Sequence, residues 1–408
     1  IHYSPYSFFS QPLKANFFAK GAYAMKTVGI ICEYNPFHNG HKHQIDTART
    51  ELGCDGFIGL MSGNFVQRGE FAVFDKSVRA AAAISCGIDL VLENPTDCVL
   101  RSAEIYADRA VYILDSLGCV DYLVFGAEEP DLSKLKEIAE FFAAEPPRFK
   151  SALADELKSG APFAAARAAA AANILGFGIT EPLSKPNNLL AIEYLKALIR
   201  RNSSIEPVLI KRVGAMHDSD EISGITASAT KLRKMLQDRD NISPLVPSSA
   251  TNIYRTAKAF DPTTADAAIL GSLCLMPKER LAAAPDISEG LENKIKHEVM
   301  YAETFAGLCA AVKSKRYAYS RIRRALLCAY LGLSKSAAEP PYVKILDFNY
   351  IGRQIISAAK KTSEITLAKN ASAILKDKSA MELWKSQLGF DRVYEIMSQT
   401  NIRPNKYL

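Results

Sequence analysis

VGIIC, residues 28–32, runs directly into EYNPFHNGHKHQ, residues 33–44. The first stretch is short, apolar and β-rich. The second is polar and holds three of the chain's six histidines within six positions. An apolar run that stops at a proline-stiffened loop, with a helix starting near Asn39, reads as a buried strand, a loop and a helix N-terminus. In an open parallel sheet, ligands bind beyond the carboxyl ends of the strands, where this loop falls. A helix N-terminus offers unpaired N–H donors and partial positive charge, which suit phosphate. His38 and His41 are three apart, so one helical face can present both imidazoles to a single phosphate. Gly40 between them has no side chain, so a flat base or sugar can approach the backbone there.

Outward from this stretch the alternation continues. GFIGLM (56–61) is the next strand, and the loop SGNFVQRGEFAVF (62–74) leads to a helix capped by Asp75 and closed by Gly87. DLVLE (89–93) is a third strand. A helix from about Arg101 to Leu117 stops at Gly118, and DYLVFG (121–126) is a fourth strand. Short buried strands alternating with helices predict a parallel sheet covered on both faces. Residues 131–175 read as helices, including the Ala-rich FAAARAAAAANIL, and 187–201 as another. EPVLIKRV (206–213) is a fifth strand. A Gly/Asp/Ser-rich loop and the helix SATKLRKML (228–236) follow it. SPLVPSS (243–249) reads as a linker. Beyond it helical patterns dominate, interrupted by the Pro-bounded EPPYVKILDF (339–348). The expected organisation is an extension over 1–24, an α/β domain over 25–245 and a mainly helical domain over 246–408.

Composition sets the compartment and the partners. The 408 residues are 48% hydrophobic and 23% charged, an ordinary balance for a globular chain with room for two or three domains. Charges interrupt every apolar stretch well short of the roughly 20 residues a membrane helix needs. Cysteines stand at 32, 54, 86, 98, 119, 274, 309 and 328, with no CxxC pair. That pattern fits reduced, buried thiols in a cytoplasmic protein rather than disulfides or a zinc site. Residues 1–24 hold no acid and end in AYA, which imitates a signal cleavage site, but no continuous apolar segment precedes it. Met25 is the expected natural start, after a disordered extension. The net charge of +6 is unevenly spread. From residue 246 on, 24 Lys and Arg face 15 Asp and Glu, a balance of +9; before it, 26 face 29, a balance of −3. A near-neutral first part and a basic second part predict that the second part meets a polyanion.

HNGH (38–41) after a first β-strand resembles the HxGH signature of the nucleotidyltransferase superfamily, whose fold core is shared with class I aminoacyl-tRNA synthetases. Members of that superfamily join a nucleotide α-phosphate to an acceptor and release pyrophosphate. ITASATKLR (225–233) is similar to the Ser/Thr-rich turn with which they close the triphosphate site. Ala227 stands where a serine is often found. GIICEYNPFHNGH, MSGNFVQRGE (61–70), DYLVFGAE (121–128), KPNNLLAIEYLKAL (185–198), IKRVGAMHD (210–218) and KRYAYSRIRRALL (315–327) occur in order from Met25 to near residue 356. Together they resemble the tRNA(Met) cytidine acetate ligase family, with Met216 where an aromatic residue is expected.

The resemblance implies a Rossmann-like α/β nucleotidyltransferase domain with a parallel sheet, then a basic, mainly helical domain. It implies an ATP-dependent ligase that makes N4-acetylcytidine at the wobble position of elongator tRNA(Met). Acetate would attack the α-phosphorus of ATP, giving acetyl-adenylate and pyrophosphate; the cytidine N4 amine would then take the acetyl group and release AMP, with no acetyl-CoA. His38 and His41 are the implied catalytic pair. The implied ATP-binding stretch is Ile31, Cys32, Glu33, Tyr34, Asn35, Pro36 and Phe37, continuing through His38, Asn39, Gly40, His41, Lys42, His43 and Gln44. Gly126 would lie close to the adenosine, and Asn188, Arg212 and Val213 are further implied ATP contacts. Ser228, Thr230 and Arg233 would hold the triphosphate. Mg²⁺ is expected as its counter-ion, without a dedicated protein metal site.

KSKRYAYSRIRR (313–324) has six cations, two tyrosines and no acid. Arg316, Arg321, Arg323 and Arg324 can neutralise phosphates, and Tyr317 or Tyr319 can stack on a base. The partner expected is elongator tRNA(Met), with no membrane and no obligate protein partner. Two rivals remain at this stage. One is an adenylyltransferase acting on a small phosphorylated metabolite, a class that is usually shorter and lacks a basic helical half. The other is an inactive RNA-binding protein that keeps the fold, against which the intact His38 and His41 argue.

Overall fold

The structure is a computed structural model, and residues 25–211, 222–315 and 317–398 are described. In chain order the strands are β1 (Thr27–Cys32), β2 (Gly56–Ser62), β3 (Phe65–Val66), β4 (Glu70–Phe71), β5 (Leu90–Asn94) and β6 (Tyr122–Ala127), then β7 (Glu206–Lys211), β8 (Ile222–Ser223), β9 (Thr226–Ala227), β10 (Tyr342–Phe348) and β11 (Thr366–Ala368). The helices of the first half are α1 (Asn39–Leu52), α2 (Lys76–Ser85), α3 (Thr96–Val99), α4 (Ala103–Ser116), α5 (Leu132–Ala144), α6 (Pro147–Lys158), α7 (Phe163–Leu175), α8 (Phe177–Thr180), α9 (Pro186–Arg201) and α10 (Ala229–Gln237). Those of the second are α11 (Ser248–Thr256), α12 (Asp266–Leu275), α13 (Lys278–Ala282), α14 (Leu291–Glu298), α15 (Phe305–Val312), α16 (Tyr319–Leu331), α17 (Tyr350–Thr362) and α18 (Lys378–Ser398).

Seven strands form one sheet in the order β11-β10-β5-β2-β1-β6-β7. All neighbours are parallel except β10 and β5. The central strands are apolar on both faces, as a sheet covered on both sides requires. Ile58, Leu60, Leu90 and Leu92 pack on one face with α4, α5, α9 and α17. Phe57, Met61 and Val91 pack on the other with α1, α2, α10 and α11. From β1 the chain builds outward to β2 and β5, then returns to place β6 on the other side of β1. The crevice at the carboxyl ends of β1 and β6 is therefore the topological switch point, the usual ligand position in such sheets. A third core gathers α12 to α16 with Phe390, Tyr394 and Met397 of α18.

The fold class matches the expectation, while two features of the organisation differ. The sheet crosses the expected boundary at 245: β10, from the EPPYVKILDF segment, pairs with β5 in register Lys344↔Glu93 and Ile345↔Leu92, and β11 extends it. Val343 and Ile345 belong to the sheet's core, and that burial draws the segment back across the chain. The stretch 243–249 is packed rather than a free linker. Leu245 and Val246 are buried, Pro247 precedes α11, and Tyr254 of that helix stacks on Phe74 at 4.6 Å. α18 returns to the first half as well. Its Tyr394 hydroxyl donates to the Ala72 carbonyl at 2.9 Å, and its Gln387 accepts from the Thr96 N–H at 2.9 Å. All eight cysteines are free thiols. Among the described residues no helix is long and apolar enough to cross a membrane. The extension 1–24 lies outside the described residues.

Candidate active site

The loop after β1 has few conformational options left. Arg79, fully buried on α2, donates from one guanidinium to the carbonyls of Glu33 (2.6 Å), Ser62 (3.0 Å), Phe74 (2.9 Å) and Gly63. A buried guanidinium that spends its donors on backbone carbonyls fixes the ends of β1 and β2 together. Burial pushes its pKa down from the ordinary value. Asn35 Oδ1 accepts from the Val73 N–H at 2.7 Å, and the Phe37 N–H donates to the Tyr254 hydroxyl at 2.9 Å. Tyr34 sits at φ +45°, outside the common regions for a non-glycine residue, with its ring edge-on to His41 at 4.9 Å.

His38 is the N-cap of α1. Its Nδ1 accepts from the Gly40 N–H at 3.1 Å, while His41 Nδ1 accepts from the His38 N–H at 3.3 Å. The rings stack 3.8 Å apart, 23° from parallel. With both Nδ1 atoms acting as acceptors, the neutral rings carry their protons on Nε2 and are donors there. Two imidazole donors, the helix N-terminus and its dipole thus converge on one place. Gly40 has a further reason to be glycine: a Cβ there would lie 2.9 Å from His38 Cε1.

A cleft of about 290 Å³ opens over this point. Of the expected ATP-binding stretch, Ile31, Cys32, Glu33, Tyr34, Asn35, His38, His41 and Gln44 line it. Gly126, Ser228, Thr230 and Arg233 line it as well, from β6 and the start of α10. Ser228 caps α10 by accepting from the Lys231 N–H at 3.0 Å. Arg233 donates to the Asn35 carbonyl at 3.1 Å and to Thr230 Oγ1 at 3.2 Å, which ties α10 to the histidine loop. A second helix N-terminus, carrying a hydroxyl pair and a guanidinium, thus faces the cleft.

The remaining expected residues stand elsewhere. Pro36 and Phe37 are buried under the loop. Gly40 and His43 line a smaller adjoining cavity. The Asn39 amide donates to the carbonyls of Ile225 and Pro244, and Lys42 pairs with Asp46. Asn188 stands behind the wall, where its Oδ1 accepts from the N–H groups of Glu128 and Glu129 at 2.8 and 2.9 Å. Its neighbours Pro186 and Asn187 line the cleft instead. Arg212, Val213 and Arg316 lie outside the described residues.

MSGNFVQRGE (61–70) also reaches the cleft. Residues 65–71 form a hairpin, and its Gln67, Arg68 and Glu70 line the cleft. The Gln67 N–H donates to Glu33 Oε1 at 2.8 Å. Burial pushes the Glu33 carboxyl above its ordinary pKa, against the pull of that N–H, Arg68 and Arg233. Tyr106 and Tyr194 also line the cleft; a tyrosine on a helix gives no sequence signal for such a place.

The basic run is less exposed than its composition implies. Tyr317 is 8% exposed, and its hydroxyl donates to the Ser288 carbonyl at 3.2 Å. Arg321 lies over that ring at 4.7 Å, and Arg324, 8% exposed, pairs with Asp286. Arg323 donates twice to the Arg68 carbonyl (3.0 and 2.9 Å) and pairs with Glu70, so this helix touches the hairpin that lines the cleft.

A switch-point crevice, a strand–loop–helix carrying HNGH and a second helix start opposite it define a nucleotidyltransferase site. In agreement, the family model described as HIGH Nucleotidyl Transferase matches residues 25–407. The tRNA(Met) cytidine acetate ligase of Acetivibrio thermocellus is 35% identical over 391 residues, covering 89% of this chain and 94% of that protein. That of Clostridium kluyveri is 38% identical over 376 residues, covering 86% and 92%. The chain also superposes on crystal structures of Thermotoga maritima TmcAL, at 28% identity and covering 94% of this chain and 97% of that one. The TM-score is 0.89 for the apo form and 0.87 for the form bound with alpha-thio ATP. The chain belongs to the tRNA(Met) cytidine acetate ligase family, and it is a ligase.

Proposed function

We propose that this ligase activates acetate with ATP and transfers the acetyl group to the N4 amine of the wobble cytidine of elongator tRNA(Met). In the first step an acetate oxygen attacks the α-phosphorus, the bond to the β-phosphate oxygen breaks, and pyrophosphate leaves. In the second, the N4 lone pair attacks the acetyl carbonyl, the carbonyl–oxygen bond to AMP breaks, and the amine gives up one proton. The observation that carries the reading is the stacked His38–His41 pair at the start of α1, facing Ser228, Thr230 and Arg233 at the start of α10. Two rings donating from Nε2 suit the charge that builds on a pentavalent α-phosphate, where one preorganised donor is typically worth about 3 kcal/mol. The start of α10 suits the β- and γ-phosphates, and Gly126 leaves room for the adenosine. The ATP analogue held by the Thermotoga maritima relative supports the same reading.

Mg²⁺ fits as an ion carried in on the triphosphate. Among the described residues no group of three or more His, Cys, Asp or Glu is arranged to hold one. Arg212 and Val213 complete the proposed ATP contacts, with Asn188 holding the loop after β6. The second half of the chain, with its balance of +9, meets the tRNA. The reaction belongs to the cytoplasm, where tRNA and ATP meet, and it uses no acetyl-CoA.

The test is incubation with ATP, labelled acetate and unmodified tRNA, followed by nucleoside analysis, beside ATP–pyrophosphate exchange with and without acetate. Labelled N4-acetylcytidine and acetate-dependent exchange are expected. Equal exchange without acetate would remove the activation step, and label absent from the tRNA would remove the acceptor.

A further inference from the structure

Next to the cleft lies a second pocket, of about 370 Å³, between the hairpin of residues 65–71 and helices α12, α15 and α16. Phe71, Phe260, Phe305 and Tyr319 give it aromatic walls. Phe71 and Phe260 are stacked at 4.7 Å, and the Arg323 guanidinium lies 5.3 Å from the centre of the Tyr319 ring. Two of its residues, Glu70 and Arg233, are shared with the cleft. Glu70 stands between two cations: one carboxylate oxygen pairs with Arg323, and the other lies 3.5 Å from Arg233.

We propose that this pocket receives the target cytosine, extruded from single-stranded RNA, with its amino edge turned toward Glu70 and the cleft. The inference rests on the reading of the chain as an RNA-acetylating ligase. An amine inside a base stack is out of reach of an enzyme-bound acyl group, so the base has to leave the stack. Extruded bases are held by aromatic rings and by guanidinium planes, and both line this pocket. The shared wall also carries the right polarity. Cytosine presents an N4 donor beside N3 and O2 acceptors, and a glutamate accepts from N4. Glu70 supplies that acceptor, and Arg233 and Arg323 on either side supply donors. Uracil would turn a carbonyl oxygen toward the carboxylate and is disfavoured. Because Glu70 borders both cavities, an amine bonded to it faces the cleft in which the acyl group is activated.

Ala306 is exposed and lines the pocket, so Ala306→Trp fills it without removing any core side chain. Phe305→Leu removes one ring and keeps most of the volume. Three readings are taken on each variant and on wild type: acetate-dependent exchange, tRNA acetylation, and fluorescence of an anticodon stem-loop carrying pyrrolocytidine at the wobble position. Both variants are expected to keep exchange within about twofold, since the pocket lies outside the half-reaction. Acetylation should fall by roughly 10–100-fold, the scale of a lost base–aromatic contact. Wild type should quench the pyrrolocytidine, and Ala306→Trp should not. In competition, wild type should prefer the cytidine stem-loop over its uridine counterpart, and Glu70→Gln should lose that preference. An Ala306→Trp variant that acetylates and quenches like wild type overturns the pocket alone. A wild type that neither exchanges nor acetylates overturns the proposed function, and this inference with it.

Discussion

Replacing His38 by asparagine separates two roles that one ring now fills. Asparagine is a strong N-cap, so His38→Asn should keep the start of α1 and melt within a few degrees of wild type. Acetate-dependent exchange should still fall by roughly 10²–10³, the usual cost of losing one transition-state donor. His41→Ala should show a similar loss of rate. Exchange at wild-type level in a folded His38→Asn, His41→Ala double variant would move the chemistry away from these rings. The histidine pair was legible in the sequence because its spacing, the preceding strand and the following helix all lie within a few residues of one another. Arg79 was not legible. Nothing local tells a helical arginine that it will be fully buried with four carbonyls around it, since three of them, at Glu33, Ser62 and Gly63, come from the ends of β1 and β2.

Between elements, the joint of the 65–71 hairpin with α16 is the one to test. Gly69 has φ +75°, and a Cβ there would sit 2.5 Å from the Arg324 backbone nitrogen. Gly69→Ala therefore meets both backbone strain and a collision with a helix backbone, which has no flexible end to yield. The expected result is a loss of about 2–4 kcal/mol in denaturant melts, as for other overpacked or strained sites. Exchange should weaken too, because Gln67, Arg68 and Glu70 ride on the same turn. An unchanged melt with normal exchange would show that the hairpin and helix are not mechanically joined. This geometry also redirects the choice of RNA-binding variants. Arg324 pairs internally with Asp286, so its loss would disturb the fold, whereas Lys313 and Lys315 are exposed. Lys313→Ala with Lys315→Ala should lower the salt slope of tRNA binding by about 0.7–0.9 per lost contact and leave exchange intact. An unchanged slope would put the RNA surface elsewhere. Strands and helices of the first half were readable from short-range periodicity. The packing of 243–249 and the return of β10 to the sheet were not, because burial of Leu245, Val246 and the β10 side chains depends on partners far away in the chain.

Across the whole molecule, Lys76 of α2, Glu93 of β5, Lys344 of β10 and Asp391 of α18 meet in one buried cluster. Lys76 Nζ lies 2.5 Å from Glu93 and 2.6 Å from Asp391. Burial works to raise the Glu93 carboxyl, but Lys76 and Lys344 outweigh it and hold the pKa below the ordinary value. Its contribution to stability is thus present above that ordinary value and lost as pH falls below it. Lys76→Met should cost about 3–5 kcal/mol at neutral pH, because two carboxylates are left buried around a missing cation. In that variant burial dominates and the carboxyl pKa rises, so the deficit should shrink as pH is lowered from 7 to 5, a window in which the wild-type Glu93 contribution stays level. Urea melts at both pH values decide it; a deficit that is equal or larger at pH 5 refutes this account of the cluster. The pairing of β5 with β10 has a further consequence during synthesis. The nucleotide loops leave the ribosome early, but the strand that covers the outer edge of β5 comes from the last quarter of the chain. Until it emerges, the nascent sheet carries an open edge of the kind that recruits other chains. A message truncated after the helical segment would therefore yield an aggregating fragment rather than a free nucleotide-binding half-enzyme, and under the proposed function the cell would not be left with a protein that spends ATP without an acceptor.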